Sequence, residues 1–482
     1  HSLATWGYKL GYPKIEFEDY YNYSEEMMNY CVRDVELNTK VLEELRKESK
    51  GFTPESISLE QKVAGIVKQQ ETDGFNFDMP LALGLLAELR QKKQVIEDEV
   101  HQTFKPKWVD TKEVTPFIRK DGNLSKRGLT DAEYQRCLDT NNFNSFMRQT
   151  LQEFNLGRRK QIGEYLIDFG WKPNRFTPTG QPIVDEKTLS KITHIHEAKL
   201  IADFLLLQKR VAQVDSWVEA VKEDGRVHGF VIPNGTITGR MAHRNPNMAQ
   251  VPSSYSPYGK ECRACWNVGE GNVLLGVDAS GLELRMLAHY MKDDEYIKEI
   301  LDGDIHTANQ KAARLKSRNQ AKTFIYALMY GAGDEKLGKV VEGNTRDGKR
   351  AREHFFNNNP AFKSLRDRVT RAAGKKFLKG LDGRKLYIRH THAALNTLLQ
   401  GAGAIVMKKA LVILDELLKL NTIDYKFVAN IHDEWQIEVK ESQAEFTGEL
   451  AVKSIIQAGE EFNLLCPMDG EYKIGRNWSE TH

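Results

Sequence analysis

The sequence predicts an α/β fold of the α+β kind, in which long helices surround a few strands. Three observations predict it. Residues 273–277 are apolar or glycine, as in a buried strand; Asp278 follows, and a Ser280-Gly281 turn opens an amphipathic run with Leu282, Leu284 and Leu287 among Glu283, Arg285 and His289. Residues 425–439 divide into two strand-like halves around 431–434. In the second half Trp435, Ile437 and Val439 alternate with Gln436 and Glu438, which predicts a half-buried strand with Asp433 at a hairpin tip. Helical periodicity runs through 81–101, 186–222, 318–333 and 392–418.

At 482 residues the chain is long enough for about three domains. Its net charge of +2 hides local asymmetry, because residues 231–260 contain no Asp or Glu while Arg240, Arg244 and Lys260 are present, as suits a polyanion. The five cysteines are scattered, which excludes a disulfide framework and fits a reducing compartment. Cys262 and Cys265 form a C-x-x-C without a second pair, which reads as chance spacing. No signal peptide and no uninterrupted apolar run of membrane-spanning length is found, so no membrane partner is expected. The chain begins at His1 rather than Met, which predicts that sequence is missing upstream.

In chain order, residues 21–45 read as a helix with Tyr30 and Asp34 at i, i+4. A boundary at 51–58 follows, where Ser58 and Gln61 resemble a capping box, and GFNFD (74–78) reads as a turn. Residues 105–128 carry seven Lys or Arg against three Asp or Glu and four Gly or Pro, which predicts a basic loop-like insertion: a DNA-facing flap, a dock for an acidic partner, or a solvated loop. Helix is expected again up to about residue 169. Residues 233–252 are dense in turn formers, and 302–310 look like a capped helix start that places His306 in its first turns.

Arg318, Lys322, Tyr326 and Tyr330 recur every fourth residue, so on a helix each lies about 40° around and about 6 Å along from the last. Ala321, Phe324, Ile325 and Leu328 fall on another face, free to pack inward. Two cations followed by two aromatics match a nucleoside triphosphate laid along the helix, phosphates first and base last. Asn396 and Gln400 share a face at i, i+4, where two amides can meet base edges or a buried neighbour. An acid at a strand end, an acid at a hairpin tip and a cationic-aromatic helix between them form the set that phosphoryl transfer needs. Paired carboxylates bridge two Mg²⁺ ions about 3.5–4 Å apart, and cations neutralise the phosphates. Spacing alone does not bring Asp278 and Asp433 together.

DASGLELR, RNQAKTFIYALMYG and IHDE, in that order, resemble motifs A, B and C of the family A, or polymerase I type, DNA polymerases. TGRMAHRNPNMAQVP, HAALNTLLQGAGA and GFNFD resemble further segments, so the likeness covers roughly residues 55–482. GDIHT, YGAGDEK and GLDGRK are most similar to the replicative enzymes of T-seven-like phages. The resemblance implies a right-hand polymerase fold: a palm with an antiparallel sheet at about 216–286 and 411–482, helical fingers at 287–410, and a thumb at 80–215 with an insertion at 105–153. Residues 1–50 resemble a truncated exonuclease-domain remnant. It further implies template-directed addition of dNTPs to a primer in phage DNA replication, in the host cytoplasm.

Under that resemblance Asp278, Asp433 and the Ala279 carbonyl hold two Mg²⁺ ions, and Arg318 and His306 hold the outer phosphates. Lys322 contacts the phosphates and protonates pyrophosphate. Tyr326 stacks near the incoming sugar and base; it stands where many relatives have Phe, which predicts tolerance of dideoxynucleotides. Glu283 blocks a ribose 2′-hydroxyl. Tyr330 borders the template base, and Arg240, Gln250, Asn396, Gln400 and His432 lie along the primer-template DNA.

Two departures stand out. Of the three acidic exonuclease motifs only one like the last, Tyr30 with Asp34, is present, so no 3′-to-5′ exonuclease is expected from this chain alone. A fragment and one half of a split enzyme, completed by a separate exonuclease chain, both stay open. The insertion sits where the phage relatives bind host thioredoxin but is shorter, which leaves thioredoxin an open partner. The competing readings are a single-subunit RNA polymerase, which Glu283 opposes, and an inactive primer-template binding subunit, which has no need of the metal acids.

Overall fold

A computed structural model describes residues 2–482, which divide into two compact units, residues 2–78 with 220–482, and residues 79–219. The larger unit is built on a four-stranded antiparallel sheet. Its order is Tyr425–Ile431, Glu434–Lys440, Asn272–Ala279 and Gly470–Gly475. Val273, Leu275 and Val277 join one core with the helices Leu282–Met291, Ala394–Leu420 and Ala444–Glu461. Gly276 is required by close approach: a Cβ there would stand 2.3 Å from the Thr481 carbonyl oxygen, so only glycine lets the segment 477–482 cross the sheet. Gly281, at φ +61, makes the turn from the central strand into Leu282–Met291.

Several expectations are corrected. The helix Pro54–Asp73 starts before Ser58; Thr53 is its cap, accepting from the Ser56 N–H at 3.1 Å, and Pro54 supplies the preset first turn. Phe75–Phe77 is a strand rather than a turn, paired antiparallel on both sides, with Phe75 and Phe77 buried. The strand Glu434–Lys440 is buried on both faces, because Thr481 Oγ1 donates to Gln436 and both Arg226 and Asn272 donate to Glu438. The helix within Thr391–Leu420 is long and apolar enough to span a membrane by composition, yet its most apolar stretch is 89% buried, which makes it the core helix of this unit.

In the smaller unit, the helices Met79–Thr103, Arg159–Asp168 and His196–Ala220 enclose Val100, Phe104, Phe154, Ile162, Leu166 and Phe204. The expected helix over 186–222 is broken into Glu186–Leu189 and His196–Ala220. The basic insertion contains a hairpin in place of a loop: Lys107–Val114 pairs with Phe146–Gln152, where helix was expected. Between these strands the helix Asp131–Thr140 carries a full Thr130–Glu133 capping box. Arg148, donating to Glu133 at 2.7 Å, holds that carboxyl down at about 2.

Candidate active site

The sheet joins the two acids. Asp278 lies near the end of the central strand, opposite Glu434, and the Ala279 N–H donates to the Asp433 carbonyl at 3.2 Å. His432, at φ +60, turns the hairpin so that Asp433 sits beside Asp278. Burial, then the charges of Asp433 and Glu434, push the Asp278 carboxyl up to about 7. Burial raises Asp433 as well, against the pull of Arg240 and His432. Two half-buried carboxylates in repulsion, together with the carbonyl of Ala279 next to Asp278 in the chain, form a set of hard oxygen donors that suits Mg²⁺. Among the described residues no group of three His, Cys, Asp or Glu side chains forms a closed cage, so backbone and substrate oxygens would complete the shell, as is usual for Mg²⁺.

The sequence reading missed Glu434. Trp478 Nε1 and Gln436 Nε2 each donate to its Oε1 at 2.6 Å, and His482 Nδ1 lies 2.9 Å from its Oε2. Burial pushes this carboxyl up, but His482, Arg263 and Trp478 together hold it below the usual range. Its adjacency to Asp433 was the available signal; its partners Trp478, His482 and Arg263, which lie in remote segments, left none.

The helix Arg318–Met329 is capped by Ser317, which accepts from the Gln320 N–H at 3.2 Å. Ala321, Phe324, Ile325 and Leu328 are buried as expected, which turns the row of Arg318, Lys322, Tyr326 and Tyr330 outward. The Tyr326 ring lies 6.2 Å from that of Tyr330 and 6.5 Å from that of His306. Burial, then Arg318 and Lys322, lower the His306 pKa, and its Nδ1 is buried without a hydrogen-bond partner. Asp304 caps the helix Ile305–Ala313 and also accepts from Arg318 Nε at 2.7 Å, a link the sequence did not show. Three nitrogen-bearing side chains thus gather at one end of the row, and two aromatics stand at the other.

Glu283 is tied on both oxygens. Arg240 Nη2 donates to Oε1 at 2.9 Å and the Tyr330 hydroxyl donates to Oε2 at 2.6 Å. Arg240, His432, Asn396 and Gln400 line one open cavity of about 330 Å³ with His390 and Arg389, and the buried Asn396 Oδ1 has no hydrogen-bond partner there. Gln250, exposed in the short turn Met248–Gln250, does not line this cavity. Cys262 and Cys265 are fully buried, and burial pushes the Cys265 thiol up to about 12, as expected of a packed rather than a reactive pair.

The sequence profile described as DNA polymerase family A matches residues 130–480. The DNA-directed DNA polymerases of Enterobacteria phage T3 and Escherichia phage T7 are 35% and 34% identical to this chain over its whole length, with 83% of each relative covered. That of Escherichia phage Phieco32 is 39% identical over 47% of this chain and 41% of its own length. The solved POL domain of Pol1 from M. smegmatis, in complex with DNA primer-template and dNTP, superposes with a TM-score of 0.78 at 20% identity. The match covers 99% of this chain and 79% of that one, so the fold is shared.

Proposed function

From the premise that this chain belongs to DNA polymerase family A, we propose that it extends a DNA primer on a template by adding dNTPs, as a replicative polymerase in the cytoplasm of a phage-infected host. The observation that carries the reading is the placement of Asp278 beside Asp433, in the same core as the helix that presents Arg318, Lys322 and Tyr326. Residues 216–286 with 411–482 serve as palm, 287–410 as fingers and 80–215 as thumb.

Asp278, Asp433 and the Ala279 carbonyl would hold two Mg²⁺ ions, which when bound supply charge neutralisation at the attacking and leaving oxygens. Arg318 and His306 orient the triphosphate tail, and Lys322 hands a proton to the departing pyrophosphate. Tyr326 and Tyr330 bound the nascent base pair. Glu283 occupies the space a ribose 2′-hydroxyl needs. Arg240, Gln250, Asn396, Gln400 and His432 run along the primer-template, where groove acceptors report base-pair shape without reading sequence.

Primer extension with Mg²⁺ tests the reading. The wild-type chain is expected to incorporate dNTPs well above rNTPs, and Asp433→Ala to lose at least about 10²–10³-fold in rate, the scale of one lost electrostatic group. Equal use of rNTPs favours an RNA polymerase, and equal behaviour of the two proteins a binding subunit.

Two partners follow from the same reading. The hairpin of the insertion exposes Trp108 (66%), Met147 (47%) and Leu151 (51%), which supports host thioredoxin as a processivity partner; longer products per binding event on its addition are the expected result. In residues 1–50 the Asp34 carboxylate is paired with Lys14 at 2.8 Å, which supports a separate chain as the source of any exonuclease. Mg²⁺-dependent degradation of single strands by this chain alone would refute that division.

A further inference from the structure

Three cations surround a pocket that the polymerase reading leaves unused. Lys50, Lys379 and Lys385 line a cavity of about 230 Å³ between the turn before the helix Pro54–Asp73 and the hairpin of Phe377–Lys379 with Lys385–Tyr387. No acid lines it, and none of the three ammonium groups has a carboxylate within 4.0 Å among the described residues. The acid nearest to Lys379 and Lys385 in sequence, Asp382, has both carboxylate oxygens accepting from the buried Arg384. The positive end of the Pro54–Asp73 helix opens at Thr53, on the same wall. Cations gathered this way repel one another until an anion enters.

The rest of the lining narrows the kind of anion. Phe377 forms part of the wall, with Lys385 Nζ 4.9 Å from its ring centre, and Tyr387 is paired with Phe377 across the hairpin and 53% exposed. Gly51 leaves the floor open, because a Cβ there would press on Lys385 at 3.1 Å and approach the Tyr387 hydroxyl at 3.6 Å. Point cations that tolerate varied phosphate positions, with rings beside them, are the elements of a groove for single-stranded nucleic acid. Bases there are free to stack, as they are not in a duplex.

We propose that this pocket binds a single-stranded stretch of the DNA substrate outside the primer-template duplex, holding backbone phosphates at Lys50, Lys379 and Lys385. The proposal rests on the polymerase reading and adds a second DNA-binding site to it. The test is fluorescence anisotropy of the full chain on two primer-templates with the same duplex. One has an overhang of a few nucleotides, and the other an overhang longer than the roughly 4–16 nucleotides that a single-strand groove covers.

For the combined variant Lys50→Gln, Lys379→Gln and Lys385→Gln, affinity for the long overhang is expected to fall roughly tenfold. The dependence of its log affinity on log salt should shallow by about 2, near 0.7 for each phosphate that the protein no longer neutralises. The short-overhang substrate should bind as it does to wild type, and the matching triple Arg variant should retain long-overhang binding, which separates charge from fold. Loss of the same size on both substrates, or on neither, overturns the proposal. So does displacement of a polyglutamate peptide by these mutations with overhang binding unchanged, since the pocket would then serve an acidic protein segment. Failure of wild type to extend either primer would sink the polymerase reading itself, an outcome distinct from these binding comparisons.

Discussion

The Tyr330 hydroxyl donates to Glu283 Oε2 at 2.6 Å while Arg240 holds the other oxygen at 2.9 Å, so the carboxylate is fixed from two elements other than its own helix. In the proposed role of Glu283 as a steric gate, selectivity depends on rigidity, since a carboxylate able to swing aside would admit the 2′-hydroxyl it should exclude. Tyr330→Phe removes one tether and keeps the ring. A hydrogen bond to a charged group contributes about 1.5–3 kcal/mol, so the preference for dNTP over rNTP is expected to fall by about 10–100-fold, and further in Glu283→Ala. The ratio of kcat/KM for the two sugars is the measurement. An unchanged ratio in Tyr330→Phe beside a lowered one in Glu283→Ala would show that the tether plays no part in selection.

Tyr326 carries its hydroxyl in the same row, and burial, then Glu283 and Asp433, raise its pKa, so at neutral pH the phenol keeps its proton. In the proposed nucleotide-binding role, a protonated hydroxyl beside the incoming sugar would replace the contact that a 3′-hydroxyl otherwise makes. Tyr326→Phe is expected to discriminate against dideoxynucleotides by about 10–100-fold more than wild type, the scale of one hydrogen bond left unmade. Single-nucleotide incorporation with ddNTP and dNTP in competition checks it; the same ratio in both proteins would refute the role.

The regular parts of this architecture were legible because their periods are long. The cationic-aromatic row extends over Arg318–Met329 and ends on Tyr330, and its apolar complement filled the inner face as the spacing requires. Phe75–Phe77 was not legible, since a three-residue strand is too short for its alternation to be read and is defined by partners at Arg226–Val227 and Trp266–Asn267. The insertion hairpin was hidden by its charge, because a strand exposed on both faces lacks the apolar alternation that marks one. In the site, residue types were readable but their ties were not. The links of Arg240 to Glu283, Asp304 to Arg318 and Trp478 to Glu434 join positions far apart in the chain.

His243, close enough to His432 to feel its charge, gives the fold a pH limit. It is 8% exposed on the strand Ala242–Arg244, its Nδ1 is buried without a hydrogen-bond partner, and burial, then His432, push its pKa down to about 4. Between that value and an unfolded value of about 6.5 the unfolded chain binds more protons, so stability falls as pH drops through this window and is fully present above it. At pH 5 the loss is about 2 kcal/mol relative to pH 7. Urea denaturation at the two pH values should show a pH-dependent loss smaller by that amount in His243→Asn, whatever the variant's stability at pH 7. An identical pH dependence would mean that His243 is not the group responsible.

Behind the hairpin tip, Lys408 Nζ lies 2.6 and 2.8 Å from the two oxygens of Glu60, which also pairs with Arg384, and the Lys408 side chain is only 3% exposed. Burial lowers the Lys408 pKa against the pull of Glu60, as expected of an ammonium kept charged inside the protein by one partner. Glu60→Ala strips that partner and leaves the buried charge uncompensated, for an expected loss of about 3–5 kcal/mol in urea denaturation. Glu60→Met with Lys408→Met replaces the pair with apolar volume and should recover most of it. Lys408 also lines a small cavity with Arg240, His432 and Glu434, so the two variants separate stability from function. If the pair only stabilises the fold, the double variant extends primers at the wild-type rate. If it also positions the wall behind His432, the double variant unfolds normally yet keeps a lowered kcat with KM for dNTP unchanged, which marks an effect on the bound complex rather than on nucleotide affinity.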